Sequence, residues 1–485
     1  MARDSMDTNL PRRPRDNVIR QPRVDQLRPL VAEPVPLRRP NRIFTSTYIL
    51  IFGFAILIVF GGLLLSLPLS SKEGVFTPLV LAFFTATSAV TVTGHTVVST
   101  STYWSHFGQA VIFFLMLIGG LTFMAAATFI LALLGQRSSL SERLVMRETM
   151  GLDRMEGLRR ITRNIVLVVV LIYLVGAGVI FSRIHGMDGM GFSESVWQSV
   201  FLSVSAFNNA GFSILPESPE GSGLQRLGAM EPLLFTMVVL IILGGIGWTS
   251  LVDLYRHRRF SRLTLDTRLV LVTSLFLWVI GALVLFLAEY SNVDTHGGLT
   301  LLDRISDSVF HSISGRTAGF TTIDFGKAED FTKLTYPALM FIGGASGSVA
   351  GGIKVNTFAV IIAAVISSIK RRPQAEAFGR EISQQQVLRA VTVGVLGVVF
   401  IVLTLPTLTL TEPDIPFLDL LFDTVSAFGT TGSSTGIVPD LSVVGKLIFM
   451  LAMFLGRLGP LTLALALAPR EQTMYRYVQE RVTIG

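Results

Sequence analysis

Uncharged apolar runs of about twenty residues recur along this chain and leave it few folds to choose from. YILIFGFAILIVFGGLLLSL (48–67) and LVLVTSLFLWVIGALVLFLA (269–288) are two of them. A helix of about 20 apolar residues crosses the ~30 Å hydrocarbon layer of a bilayer. One such run could equally be the core helix of a water-soluble domain, but many in one chain argue for lipid as the solvent. Only 15% of the residues are charged, against roughly a quarter in an average soluble domain. In hydrocarbon every backbone polar group must find a partner within the protein, which helices do by themselves. The fold class expected is an all-α polytopic membrane protein.

The net charge of +7 is unevenly spread. Thirty of the 40 Lys and Arg residues lie in 1–43, 136–163, 254–268, 370–389 and 470–485, all beyond the ends of the apolar runs. The connections between them carry acids instead, among them Glu217, Glu220, Glu231, Asp294, Glu412 and Asp414. A Lys/Arg bias of this kind orients a membrane protein with its basic side cytoplasmic. The basic segments therefore read as topology signals rather than a nucleic-acid surface, with lipid or partner contact secondary. Residues 1–43 hold seven prolines and ten arginines and are expected to form a disordered basic cytoplasmic tail. They contain no apolar signal-peptide core, so insertion is expected to rely on the first spanning run. The chain has no cysteine, and its six histidines form no pair at metal-ligand spacing. Nothing in it suggests an enzyme or a bound cofactor.

Between the basic segments one pattern recurs four times. A long run leaves the cytoplasmic side (48–67, 165–181, 269–288, 391–410). A shorter one follows (76–88, 194–206, 302–314, 416–428), then a glycine-containing stretch, and a second long run returns (110–134, 233–252, about 336–368, 447–467). Runs of 10–14 residues are too short to span and read as re-entrant segments. The expectation is four tandem membrane helix–pore helix–membrane helix repeats, eight spanning helices in all, over 44–136, 163–256, 266–370 and 388–469. A cytoplasmic tail, 470–485, follows.

The four glycine-containing stretches align as Thr91-Val92-Thr93-Gly94, Asn208-Asn209-Ala210-Gly211, Arg316-Thr317-Ala318-Gly319 and Gly429-Thr430-Thr431-Gly432. Their final glycines are spaced 117, 108 and 113 residues apart, an evenness that marks internal repetition. A single glycine after a helix is ordinarily a C-cap. Four in equivalent places point elsewhere. Short helices with their C-termini inward present partial negative charge to an axis. Glycine permits the backbone angles that aim several carbonyls along it, and a ring of such oxygens can replace the hydration shell of a monovalent cation. The sixteen residues are thus expected to form a selectivity filter around a pseudo-fourfold pore.

The chain from about residue 45 onward resembles the Trk/Ktr/HKT superfamily of potassium transporters, the Ktr membrane subunit most of all. FIGGASGSVAGGIKVNTF (341–358), SGRTAGFTTID (314–324) and FLGRLGPLTLALAL (454–467) carry the resemblance. It implies channel-like K⁺ uptake across the cytoplasmic membrane, with glycine at all four filter positions going with K⁺ selectivity. It also implies a homodimer on a ring of cytosolic nucleotide-binding regulatory subunits, with Na⁺ a possible stimulant. The sequence departs from the family pattern at His95, where an apolar residue is expected after the first filter glycine. The 43-residue extension has no family role.

The last long run of the third repeat is interrupted by GGASGSVAGG (343–352), whose five glycines cost helix stability at up to ~1 kcal/mol each. One reading is close helix packing through small residues. The other, which the resemblance supports, is an intramembrane gate across the pore built from Gly343, Gly344, Ala345, Ser346, Gly347, Ser348, Gly351 and Gly352. Arg457, inside the last run, costs ~2.5–3.5 kcal/mol to insert. It reads either as half of an ion pair or as a pore-facing cation under the filter. Lys354 could anchor the loop, and Arg316 is expected to pair with an acid near the outer mouth. GSSTG (432–436) fits a hydrolase pattern but lies in the fourth filter stretch. The glycine-rich loop lacks the GK[ST] of a phosphate loop. Rival readings are a sodium-permeable relative, a cation-coupled symporter and a non-transporting receptor, which flux measurements separate.

Overall fold

The computed structural model describes residues 46–120, 158–186, 190–216, 224, 231–297 and 299–459, all within one compact unit, Ile43–Gly485. The expected tails at 1–43 and 470–485, and most of the segment joining the first two repeats, lie outside the described residues.

Fourteen α-helices make up the described fold, together with three short 3-10 turns and a two-stranded antiparallel ribbon, β1 (Glu376–Ala377) and β2 (Arg380–Glu381). The first group is α1 (Ser46–Ser66), α2 (Leu79–Thr91) and α3 (His106–Gly120). The second is α4 (Leu158–Ile184), α5 (Phe192–Phe207), α6 (Glu231–Gly245) and α7 (Trp248–Arg256). The third is α8 (Leu265–Glu289), α9 (Leu301–Ser314), α10 (Asp330–Phe341) and α11 (Val355–Ile369). The last is α12 (Gln384–Thr411), α13 (Phe417–Gly429) and α14 (Val443–Leu458). The short runs read from the sequence are the helices α2, α5, α9 and α13, each displaced by at most a few residues.

Local signals set several boundaries. Thr300 and Asp303 form a capping box at the start of α9, as Ser383 and Gln386 do at α12. Pro78 and Pro416 stand just before α2 and α13, where a missing N–H costs nothing.

Among the described residues three stretches are long and apolar enough to cross a membrane: Arg163–Ile184, Leu265–Glu289 and Gln384–Thr411. A fourth is present if Pro232–Gly245 and Trp248–Arg256 count as one span, although they meet at a 97° bend. This bend corrects the sequence reading, which ran 233–252 as one continuous segment. The cause is local: Gly247 precedes α7 with φ 86°, a left-handed value that ends α6 and redirects the chain. The outward faces are apolar; Leu275, Phe276 and Val279 on α8 are each more than half exposed. Such a surface suits hydrocarbon rather than water.

The helices pack in a cycle. Within each group the first long helix lies against the short one: α1 on α2, α4 on α5, α8 on α9 and α12 on α13. Between groups, the helix after each short one packs on the short helix of the next group: α3 on α5, α6 on α9, α10 on α13, and α14 back on α2. Close backbone approaches fix this packing. Gly119 lies against the Val90 carbonyl, Gly244 against that of Phe207 and Gly456 against that of Phe428, three equivalent positions near the ends of short helices. In the third group the relation is reversed: Gly315 ends α9 and makes room for Tyr336, whose hydroxyl donates to the His311 carbonyl at 2.9 Å.

A methyl group at position 119 would collide with rigid backbone. Gly119→Ala is expected to destabilise the protein by roughly 1–3 kcal/mol through overpacking. The thermal unfolding midpoint of the purified variant checks this, and an unchanged midpoint would refute the contact.

Candidate functional site

Three of the four short helices end alike. Val92, Asn209 and Thr430, the second residues of their stretches, have φ of 58°, 56° and 51°. Left-handed backbone is strained for β-branched side chains such as Val92 and Thr430, by about 1–3 kcal/mol each, and persists only where the surroundings enforce it. The enforcement comes from a serine six residues before each final glycine. The carbonyls of Ser88, Ser205 and Ser426 accept the N–H groups of Thr93, Ala210 and Thr431 at 2.8–2.9 Å. The Ser88 and Ser426 hydroxyls also accept the N–H groups of Gly94 and Gly432 at 3.0 and 3.1 Å. In the third stretch the serine sits one residue later, and Ser314 receives Ala318 and Gly319 through a right-handed turn.

Beyond these turns the chains meet. Gly94, Gly211, Gly319 and Gly432 have φ of 92°, 72°, 69° and 91°. A Cβ on Gly94 would strike the Ala210 carbonyl, on Gly211 that of Ala318, on Gly319 that of Thr431, and on Gly432 that of Thr93. Each obstructing carbonyl precedes the next glycine in the cycle, and the fourth returns to the first. All four glycines line one cavity of about 350 Å³, which His95, Phe212, Phe320 and Ser434 also border. His95 itself is buried, its ring edge-on to Phe449 at 5.9 Å.

The glycine-rich segment 343–352 lies between α10 and α11 as a loop whose ends are tied by Gly343 N–H to the Ile353 carbonyl at 2.8 Å. It docks into the bend between α6 and α7. Ala345 and Val349 donate to the Gly245 and Gly244 carbonyls at 2.9 and 3.2 Å, and the N–H of Trp248 donates to Gly347 at 3.3 Å. On its other side, Gly351 abuts the Thr430 side chain and Gly352 the Gly429 carbonyl.

Three cations hold this loop through carbonyls, the buried Arg316 and the partly buried Arg457 and Lys354. Arg316 Nη2 donates to Gly343 at 2.7 Å and its Nε to Ile342 at 3.3 Å, while its guanidinium lies 5.8 Å over the Trp278 ring. Arg457 donates to Val349 and to Gly119, and Lys354 to Ala350.

The chain matches the TrkH family, described as cation transport protein, over residues 42–476. It is 38% identical to the Ktr system potassium uptake protein B of Bacillus subtilis over 91% of this chain and 97% of the relative. It is 35% identical to the potassium/sodium uptake protein NtpJ of Enterococcus hirae, over 92% and 99% of the two chains. The chain belongs to the TrkH family of cation transport proteins. The crystal structure of the potassium transporter TrkH from Vibrio parahaemolyticus has the same fold, with a TM-score of 0.67 at 20% identity over 90% of this chain and 86% of that one. This family member is therefore a multi-pass membrane protein.

Of the residues singled out from the sequence, the structure brings the third and fourth of each stretch together around the four glycines. Thr91 and Gly429 instead lie in the last turns of α2 and α13, and Asn208 caps α5. Asn208 accepts from Tyr173 at 2.8 Å and donates to Met116, bracing α4 and α3. Arg316 is a correction. Its partners are carbonyls of the loop rather than an acid, and the carbonyls suit a guanidinium whose five N–H groups need oxygens. The ion-pair reading of Arg457 fares no better, for neither it nor Lys354 forms a salt bridge among the described residues. Sequence reasoning missed the bend that receives the loop. Its signal was present in LGGIGW (243–248), glycine-rich like the loop itself.

Removing a partly buried guanidinium such as that of Arg457 leaves its acceptor carbonyls without these donors, at up to roughly 1–3 kcal/mol for each. Arg457→Met is expected to lower the thermal unfolding midpoint accordingly. A midpoint equal to that of the unaltered protein would contradict the two hydrogen bonds.

Proposed function

We propose that this chain takes up potassium ions through a pore enclosed by four helix–short helix–helix repeats, with eight spanning helices and the basic segments facing the cytoplasm. The observation that carries this reading is the closed cycle of glycine and carbonyl contacts at Gly94, Gly211, Gly319 and Gly432. Carbonyl oxygens so gathered, at the C-terminal ends of four short helices, favour a cation electrostatically and can substitute for its hydration water. The names of the Bacillus and Vibrio relatives, each a Ktr system potassium uptake protein B, support potassium as the substrate. A membrane potential of about −100 mV supplies ~2.3 kcal/mol per inward monovalent cation, so uptake needs no chemistry.

In this reading the loop 343–352 is the gate. Its contact with Gly429 and Thr430 supports a position directly beneath the filter, and Arg457 adds a positive charge there. The chain acts as a homodimer in the cytoplasmic membrane, with Na⁺ as a stimulant. Nucleotide control comes from a separate cytosolic nucleotide-binding subunit, since the sequence offers no phosphate loop of its own.

The Enterococcus relative is named for both potassium and sodium, which keeps a sodium-permeable reading as the alternative. Gradient-driven flux of K⁺, Rb⁺ and Na⁺ in liposomes separates the two. K⁺ and Rb⁺ are expected to pass well ahead of Na⁺, and Gly94→Ser is expected to raise Na⁺ flux relative to Rb⁺. Equal K⁺ and Na⁺ flux in the unaltered protein would favour the alternative, and an unchanged ratio in Gly94→Ser would remove the filter assignment. Shortening the loop between Gly343 and Gly352 is expected to raise flux; flux that stays the same would rule out a gate there.

A further inference from the structure

The third and fourth repeats tie down the chain beyond the glycine ring through side chains of their short helices. In the fourth, the buried Asp423 of α13 accepts both the N–H of Thr435 at 2.9 Å and its hydroxyl at 2.8 Å. Thr435 lies three residues after Gly432, and Thr322 lies three after Gly319. The N–H of Thr322 points to Nε2 of the buried His311 of α9 at 3.1 Å. The Thr322 hydroxyl donates to Oδ1 of Asp307, one helical turn before His311. Alignment of the two helices on Ser314 and Ser426 puts His311 and Asp423 at the same place, three residues before the serine. An imidazole thus occupies the position of a carboxylate and receives the equivalent N–H. In the first and second repeats the corresponding residues are Val97 and Ile214, which have no hydroxyl to hold.

A histidine can accept at Nε2 only if its proton sits on Nδ1, and the partners of Nδ1 decide that. His311 Nδ1 faces the Asp307 backbone carbonyl at 2.9 Å and Asp307 Oδ2 at 3.1 Å, both acceptors. His296, also buried, donates from Nε2 to the same Oδ2 at 3.0 Å and holds the carboxylate in place. The histidine–aspartate–histidine group thus holds Thr322 twice, its N–H on the His311 lone pair and its hydroxyl on Asp307 Oδ1.

We propose that His311 and Asp307, braced by His296, are positioning residues for ion selection: His311 Nε2 holds the Thr322 N–H, Asp307 holds its hydroxyl, and the two together fix the chain that leaves Gly319. The inference rests on the filter reading given above. Carbonyl aim at the ring depends on what grips the chain just beyond it, and in the third repeat that grip is shared between an imidazole lone pair and a carboxylate.

The test is the Rb⁺/Na⁺ flux ratio of the full chain in liposomes. His311→Leu keeps bulk but loses the acceptor, and the ratio is expected to fall about tenfold, within what loss of one buried hydrogen bond allows. His311→Gln restores an acceptor oxygen and is expected to return the ratio to within about twofold of the unaltered protein. Thr322→Val, which removes the hydroxyl and with it the Asp307 half of the grip, is expected to lower the ratio as well and carries the test if His311→Leu does not fold. A ratio unchanged in His311→Leu, or in Thr322→Val where it must stand in, overturns the proposal; so does His311→Gln behaving like His311→Leu. Gly319→Ser in the same vesicles reports on the filter itself. If it shifts the ratio while the His311 and Thr322 variants do not, the positioning role fails and the filter stands. If none of them shifts it, both fail.

Discussion

Close approach between glycine and a backbone carbonyl organises this protein at every level. The end of a helix leaves carbonyls without partners, and in hydrocarbon no water is at hand to satisfy them. Here the ends of four short helices are gathered at the centre. Three of them are met by a glycine of a neighbouring long helix (Gly119, Gly244 and Gly456), and the stretches beyond them abut through four more. Any side chain at these positions would force the backbones apart, so the spacing of the whole assembly is set by atoms that are absent. Small residues play this part generally where helices associate in lipid, since hydrophobicity alone cannot drive helices together there.

Much of this was legible in the sequence because it repeats. The recurrence of Ser-Ala-Phe before Asn-Asn-Ala-Gly and before Gly-Thr-Thr-Gly has a structural cause. The serine carbonyls at 205 and 426 receive the turn N–H groups, the alanines are buried in the helices, and the Phe207 and Phe428 carbonyls take the glycines Gly244 and Gly456. Length and apolarity located the short helices to within a few residues. The bend at Gly247 was not foreseen because hydropathy continues across it: Ile246 and Trp248 are apolar, and glycine is common in membrane helices. Nor did the sequence tell where these cations point. A buried or membrane-embedded arginine announces a cost, and only the fold shows that Arg316 and Arg457 meet it with carbonyls of a loop 27 and 108 positions away in the sequence. The His311 group was equally hidden, since His296 and Asp307 are brought to it by the fold and by one turn of helix.

The four groups are alike in plan and unlike in chemistry. The first two contribute Val97 and Ile214 where the last two have threonines held by a histidine or an aspartate. The third is the most divergent, with a right-handed turn in place of the left-handed residue, a reversed glycine contact at Gly315 and a returning segment broken into α10 and α11. Repetition within one chain allows this. Once the cycle is closed by contacts common to all four members, a single member can change without its copies changing with it, a freedom that an assembly of identical subunits does not have.

The bend between α6 and α7 carries a further consequence. Its free carbonyls at Gly244 and Gly245 are occupied by N–H groups of the loop from the third repeat, so the two irregular segments satisfy each other. Neither can be displaced alone without stranding polar backbone in a space lined by protein. Moving the loop is therefore an exchange reaction, in which water must arrive as the N–H donors leave. The energy of that movement is governed by how readily the vacated bend is wetted, and less by the suppleness that so many glycines would suggest.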